Sequence, residues 1–518
     1  MAGLDTPLTP LRFLERAAEV HPDAEAVVDG DRRITNSELA DAAQRLASAI
    51  RASGVGAGER VAFLATNRLE LLVAHFGVPL AGAVLVAVNT RLSPQEVAYI
   101  CEHSSSRILF GDSDLLAALD GVDLTVSEVV DLDTGHEEFL DRATDERLAW
   151  EVEDETATIT VNYTSGTTGR PKGVMYTHRG AYLNALGEMH HQGFVHGSRY
   201  LWTLPMFHCN GWCTTWAVTA AAATHVCLRA VRGDAIWRLV DDERIDHLCG
   251  APTVLTTLAT APHAHHLDRP LTVVTAGAPP SPTVVGQIRD LGATLVHVYG
   301  LTETYGPYSI CEPRDEWSSL TADELNVQMA RQGAGMITAD RMRVVRRETA
   351  DDGTLVDVEP DGVEMGEIVM RGNGVMKGYL DDIDATAEAF AGGWFHSGDL
   401  GVMHPDGYVQ LLDRAKDIVI SGGENISTIE VEQALASHPD VADVVVIGVP
   451  DEKWGERPKA FVVTREDASV DSDTLVAHVR ARLAAFKAPR EIVFTDALPR
   501  TSTGKVRKNA LREAESAG

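Results

Sequence analysis

The chain has 518 residues, more than one hydrophobic core organises, so two or more domains are expected. Its 44% hydrophobic and 23% charged content is that of a globular protein. A net charge of −31, with no clustered Lys/Arg stripe, excludes a nucleic-acid-binding surface and disfavours standing association with anionic lipid, so anionic substrates must be met by local cations.

In chain order, residues 39–53 carry an amphipathic helical pattern, and the β-branched run 60–64 follows as a strand. A second helix is expected near 68–76 and a strand at 83–88. Residues 71–88 and 200–228 lack Asp, Glu, Lys and Arg, but glycines, prolines, histidines and threonines interrupt both. These runs suit a soluble core and pocket wall better than a membrane span. The alternating run 157–162 leads into a loop, and short apolar strands at 273–276 and 294–298 each end in a Gly-rich or polar loop. This alternation predicts α/β units with parallel sheets, whose ligands sit at the carboxyl ends of strands. From about residue 367 short strands and turns predict a small β element. After residue 414 a compact α+β segment follows, with helices at 427–437 and 473–486, strands at 441–449 and 459–464, and a basic tail at 505–512. The fold class is therefore α/β, a large N-terminal domain of stacked sheets and helices plus a small α+β C-terminal domain. The divisions expected are 1–413, a joint at 414–417, and 418–518.

Cys101, Cys209, Cys213, Cys227, Cys249 and Cys311 form no CxxC pair. His208, Cys209 and Cys213 lack a fourth ligand at zinc spacing, so free buried thiols in a reducing compartment are expected. His263, His265 and His266 fall in a Pro/Ala-rich loop and read as solvated. No basic segment followed by an apolar one marks a secretory signal, which predicts a cytoplasmic protein without stable membrane insertion. The oligomeric state is open, a homodimer being one form it allows.

The densest chemistry lies in YTSGTTGRPKGV, residues 163–174. Successive N–H groups of a Gly-rich turn form an anion-binding nest, hydroxyls add donors, and Lys172 adds a point charge suited to phosphate. The spacing is not that of a Walker loop. A plain Ser/Thr/Gly surface turn has the same composition, and the loop alone does not separate the two. YGLTET (299–304) puts Glu303 among hydroxyls after a strand, as a ligand for Mg²⁺ or as part of a helix cap. WFHSGDL (394–400) puts Asp399 where it can accept ribose hydroxyls, or where it serves an ordinary Asp turn. DRAKDIVISGGEN (413–425) holds Arg414 and Lys416 at the domain joint, or is a solvated linker. RTSTGKVRK (500–508) puts Lys505 on a Gly-containing loop, able to reach a reacting phosphoryl group, or in a disordered tail.

These five motifs, in this order and approximate spacing, resemble the adenylate-forming acyl-CoA synthetases along almost the whole chain. The segment YLWTLPMFHCNGWCTTW (200–216) is similar to the fatty-acyl and methylmercaptopropionyl-CoA ligase branch. The resemblance implies a mobile C-terminal domain, ATP and CoA as co-substrates, Mg²⁺, and chemistry in two steps. A carboxylic acid first gives acyl-AMP and pyrophosphate, and CoA thiol then displaces AMP. It also implies roles for particular residues. Thr164, Ser165, Gly166, Thr167, Thr168, Gly169 and Lys172 hold phosphate. Glu303, with Thr164, holds magnesium, and Thr302 meets the α-phosphate. Gly277, Ala278, Tyr299 and Gly300 wall the adenylate, while Asp399 and Arg414 hold the ribose. Lys505 serves adenylation, Lys416 is the hinge, and Ser421, Gly422 and Gly423 face CoA.

His208 stands where amino-acid-activating relatives carry an aspartate, and it reads as a functional or a steric group at the carboxylate end, with Trp212 either a pocket wall or plain core. The expected acyl pocket, Phe207, Trp212, Val273, Ala276, Tyr305, Gly306 and Pro307, is neutral and mostly apolar, which favours a fatty, branched or aryl acid. Transfer to a carrier protein, amine or inorganic nucleophile is the alternative to CoA. A regulatory ATP-binding relative without chemistry is disfavoured by the intact Glu303 and Lys505.

Overall fold

Residues 4–164, 170–277, 282–421, 424–451, 454–465, 468–501 and 505–517 are described in the computed structural model of the chain. Ser165, Gly166, Thr167, Thr168, Gly169, Ala278, Gly422 and Gly423, all expected at the site, lie outside the described residues.

The β-branched runs pair as expected of βα units. A seven-stranded sheet is parallel across its middle, where Thr158–Thr164, Val84–Ala87, Arg60–Leu64, Ser106–Gly111 and Glu128–Asp131 lie side by side. A nine-stranded sheet has a parallel centre that includes Thr294–Leu301, Thr272–Thr275, His247–Gly250 and Arg199–Leu201. One large core, drawing on both sheets and the helices packed with them, joins the two. Within it runs Leu69–Leu80, the charge-poor segment of the sequence, buried from Glu70 to Leu80. A helix that is apolar all round is stable only inside a protein, where each large side chain contributes about 1.5–3 kcal/mol by burial. Among the described residues, no helix is long and apolar enough to cross a membrane.

The helix Asn36–Ala52 begins with Thr35 and Glu38 in a reciprocal capping box, a start signal present in the sequence. A five-stranded antiparallel sheet contains Phe395–Met403 and Val409–Arg414. The C-terminal part has its own five-stranded sheet and its own core, including Val431, Leu435, Val446, Val462, Leu475 and Val479. The helix expected over 473–486 ends at Arg480, and a separate turn occupies Ala485–Lys487. The basic stretch does not run out as a tail, because Lys508–Ala517 is helical.

The joint is stitched by polar contacts. The Asp413 carboxylate accepts the Thr428 N–H at 2.6 Å and its hydroxyl at 2.5 Å. The Ser427 hydroxyl donates to the Leu412 carbonyl at 2.5 Å. Lys508 meets the Thr428 hydroxyl at 2.5 Å and Glu432 at 2.9 Å.

Candidate active site

The phosphate-loop motif begins and ends in paired strands. Thr164 closes Thr158–Thr164, Lys172 opens Lys172–Thr177, and the two residues are cross-strand partners. The Lys172 ammonium lies 4.8 Å over the ring of Tyr379 and 4.0 Å from Asp382 Oδ2. The Tyr379 hydroxyl donates to Glu303 Oε1 at 2.9 Å, so this ring joins the lysine of the loop to the acidic residue of YGLTET. Tyr379 had no assigned role in the sequence reading. Its position follows from the pairing of Gly378–Tyr379 with Val174 and Met175.

Glu303 sits in the short turn Thr302–Thr304, where its carbonyl accepts the Met376 N–H at 2.8 Å. The Tyr176 hydroxyl holds the Thr302 carbonyl at 2.6 Å. Tyr176 is a second support that its sequence does not distinguish from a core aromatic. Among the described residues, no group of three or more His, Cys, Asp or Glu is placed to hold a metal ion, so His208, Cys209 and Cys213 do not form such a site. One carboxylate beside hydroxyls is instead the donor set of an ion that takes its other ligands from phosphate and water.

Asp399 and Arg414 are direct cross-strand partners on Phe395–Met403 and Val409–Arg414. The Tyr299 hydroxyl donates to Asp399 Oδ2 at 2.8 Å, and Arg414 Nε stands 3.4 Å from Oδ1. Oδ1 is buried and accepts no hydrogen bond from the protein, its charge being met by Arg414 alone at ion-pair distance among the contacts described. Burial pushes the Asp399 carboxyl up, against the opposing pull of Arg414 and Tyr299.

Lys505 reaches this centre from the C-terminal part. A Cβ added at Gly277 would lie 3.3 Å from Lys505 Cε, so the bare glycine backbone is what the lysine packs against. Gly277 also has φ +92°, a conformation that L side chains rarely adopt. Burial lowers the Lys505 ammonium below the ordinary lysine range; Arg414 adds to this, and Asp399, Cys209 and Glu303 oppose it. His208 is pushed down to about 4 by burial and by the charge of Lys505, so it is a neutral imidazole near pH 7. The Cys209 thiol stands 3.6 Å from the Thr302 hydroxyl.

The segment after His208 is irregular. Cys209, Asn210, Gly211, Trp212 and Cys213 have φ of 52°, 52°, 61°, 56° and 59°, a left-handed turn five residues long. Only Asn210 and Gly211 are residue types suited to that region. This turn brings Trp212 against Gly306, where an added Cβ would sit 2.9 Å from Trp212 Cδ1. Trp212 and Ala276 are buried in the same core as Tyr299, and Phe207 is buried as well.

Two expected wall residues are placed differently. Strand alternation sends Val273 into the opposite core with Leu201, Leu248 and Ile288, whereas Val274 faces the core that holds Trp212. The Tyr305 hydroxyl accepts the Thr177 N–H at 2.8 Å and its ring packs on Tyr176. The Pro307 carbonyl is occupied by Asn184 at 2.9 Å. Lys416 is exposed in the turn closed by Asp417 N–H to Arg414 carbonyl at 2.8 Å. Ser421 ends Val419–Ser421 and pairs with Gly455 within the C-terminal sheet.

The family model for AMP-binding enzymes matches residues 14–380, and that for the AMP-binding enzyme C-terminal domain matches 430–505. An acetate–CoA ligase of Humulus lupulus is 42% identical over 98% of this chain and 94% of its own length. A peroxisomal benzoate–CoA ligase of Arabidopsis thaliana is 38% identical over 98% and 93%. The solved structure of o-succinylbenzoate CoA synthetase from Bacillus subtilis with its acyl-adenylate intermediate is similar at TM-score 0.84 and 28% identity, covering 98% of this chain and 99% of that one. The same enzyme with ATP and a magnesium ion gives TM-score 0.81 at 29% identity, covering 96% and 98%. The chain thus belongs to the AMP-binding, adenylate-forming enzyme family, with that family's large N-terminal and small C-terminal parts.

Proposed function

We propose that the protein is an AMP-forming acid–CoA ligase acting on small or planar apolar carboxylic acids. The observation that carries this reading is the meeting of Lys505 with Gly277 beside the Tyr299–Asp399–Arg414 cluster, which puts a cation from the small part against the buried carboxylate of the large one.

In the first step the acid's carboxylate attacks the α-phosphorus of ATP, and the bond to pyrophosphate breaks. Asp399 accepts the ribose hydroxyls, with Tyr299 and Arg414 fixing its orientation. Lys505 donates to oxygens whose charge grows at the reacting centre, and Thr302 faces the same phosphate. Lys172, Thr164 and the loop between them hold the leaving pyrophosphate. Glu303, oriented by Tyr379, would hold Mg²⁺ together with the Thr164 hydroxyl; bound there, the ion neutralises phosphate charge. His208 meets the carboxylate end as a neutral group, so it adds no charge to compete with Lys505.

In the second step rotation at Lys416 withdraws Lys505 and presents Ser421, Gly422 and Gly423 to the thioester-forming site. The CoA thiolate attacks the acyl carbon and AMP leaves. One site thereby meets two incompatible demands in turn. Trp212 on Gly306 sets the breadth of the acid pocket. Relatives named for acetate, 2-methylpropanoate, trans-cinnamate and benzoate support acids without an amino group.

The test is ATP–pyrophosphate exchange with acetate, butyrate, 2-methylpropanoate, benzoate and trans-cinnamate, followed by thioester detection after CoA is added. Exchange and thioester with at least one acid is expected. No exchange with any of them overturns the reading, and exchange without thioester assigns the acyl group to another acceptor.

A further inference from the structure

The backbone around His208 is held by two asparagines that the sequence reading left without a role. Asn67, buried after the strand Arg60–Leu64, makes three hydrogen bonds to one stretch of chain. Its amide nitrogen donates to the Trp202 carbonyl at 2.8 Å and the Leu204 carbonyl at 2.9 Å, and its carbonyl oxygen accepts the Met206 N–H at 2.8 Å. An amide that satisfies three main-chain groups in one loop fixes where that loop leaves the sheet. His208 follows two residues later.

The other side of His208 is the left-handed turn. A non-glycine residue there is uncommon, and four in five successive positions persist only where surrounding contacts over-determine them. The contacts are visible. Asn210 Nδ2 donates to the Thr160 hydroxyl at 2.9 Å, the Thr214 hydroxyl donates to the Gly211 carbonyl at 2.6 Å, and the Thr215 hydroxyl donates to the Asn210 carbonyl at 3.1 Å. Gly211 lies against the Trp202 ring, which an added Cβ would approach to 2.4 Å. Thr160 belongs to Thr158–Thr164, the strand that runs into the phosphate loop.

We propose that Asn67 and Asn210 are positioning residues for the acid end of the site: Asn67 fixes the backbone entering His208, and Asn210 ties the strained turn leaving it to the phosphate-loop strand. The proposal rests on the reading of His208 and Trp212 as the acid end. Neither asparagine touches substrate. They act through the backbone, so their loss alters acid binding and leaves nucleotide binding intact.

Asn210→Gly is the informative variant, because glycine accepts the left-handed backbone and removes only the side-chain tether. Asn67→Ala is its companion on the entering side. With the full-length enzyme and the best acid of the panel above, each variant is expected to raise the KM for acid at least about tenfold, one side-chain hydrogen bond being lost in Asn210→Gly and three in Asn67→Ala, with KM for ATP within about twofold. Independently of activity, site-resolved alkylation by iodoacetamide is expected to label Cys209 and Cys213 faster than in the parent, with buried Cys101 and Cys311 unchanged. Parent-like labelling in both variants overturns the proposal, whatever the kinetics. Faster labelling with parent-like KM for acid also overturns it, and shows that the turn is held as described while His208 and Trp212 do not set acid binding. Should the parent activate no acid, the labelling result still decides whether the asparagines hold the turn.

Discussion

The two ends of the proposed reaction centre are built in opposite ways. At the nucleotide end, Tyr299, Asp399 and Arg414 stand on paired strands, and the ladder alone puts Asp399 opposite Arg414. At the acid end, His208 and Trp212 flank or lie within a left-handed turn that no ladder supports, and side-chain hydrogen bonds do the holding. Regular backbone is insensitive to which residues surround it. An irregular turn depends on particular neighbours and can be reshaped by few substitutions. That difference suits a protein whose ATP is constant and whose acid varies among relatives.

The largest test of this division is Lys505→Ala. Adenylation measured by pyrophosphate exchange is expected to fall about 10²–10³-fold, as for loss of a group that meets transition-state charge. Thioester formation from supplied acyl-AMP should stay within about threefold, and an equal loss in both half-reactions would remove the role given to Lys505. Asp399→Ala comes next. It deletes an Oδ1 that accepts no hydrogen bond from the protein and strands its ion-pair partner Arg414, and KM for ATP is expected to rise about ten- to a hundredfold with the acid preference unchanged. A change in acid preference would show that the two ends are not separable.

Trp212→Ala acts on the other end. It opens space beside Gly306 and should shift kcat/KM about tenfold toward bulkier acids relative to acetate, with KM for ATP unmoved. The smallest effect concerns pH. Burial holds His75, His178, His208 and His297 down at about 4 and His225 at about 3, so each contributes stability above pH 6.5 that is lost as pH falls toward the folded value. Glu188, raised to about 8 by burial, works in the other direction, gaining as pH falls. His136, His191 and His478 are lowered by burial in the same direction, so the histidines together outweigh Glu188 and Tm should drop between pH 6.5 and 5. His208→Gln should make that slope shallower, since one group fewer takes up a proton on unfolding. An unchanged slope would mean that His208 is solvated.

The same division explains what was legible in the sequence. Strand runs, the capping box at Thr35 and Glu38, and the ordered motifs bearing Glu303, Asp399 and Lys505 all have local signatures, and the elements stand close to their expected places. Which way a buried strand faces has no such signature when every residue is apolar. Val273 and Val274, one step apart in a run with no polar alternation, therefore enter opposite cores. The Tyr379 link between Lys172 and Glu303 depends on a two-residue strand pairing far along the chain, and nothing near it announces that partner. The left-handed turn was least legible. Asn-Gly at 210–211 signals a tight turn, but Cys209, Trp212 and Cys213 adopt the same conformation against their own preference.

Arg414 has one further consequence. It faces the ribose acceptor and is also the last residue of its strand, two positions before Lys416 in the turn that leads to the small part. On the proposed function, whatever occupies the nucleotide site therefore bears on the same strand from whose end the small part turns, so nucleotide binding and the turn of the small part are coupled through Val409–Arg414.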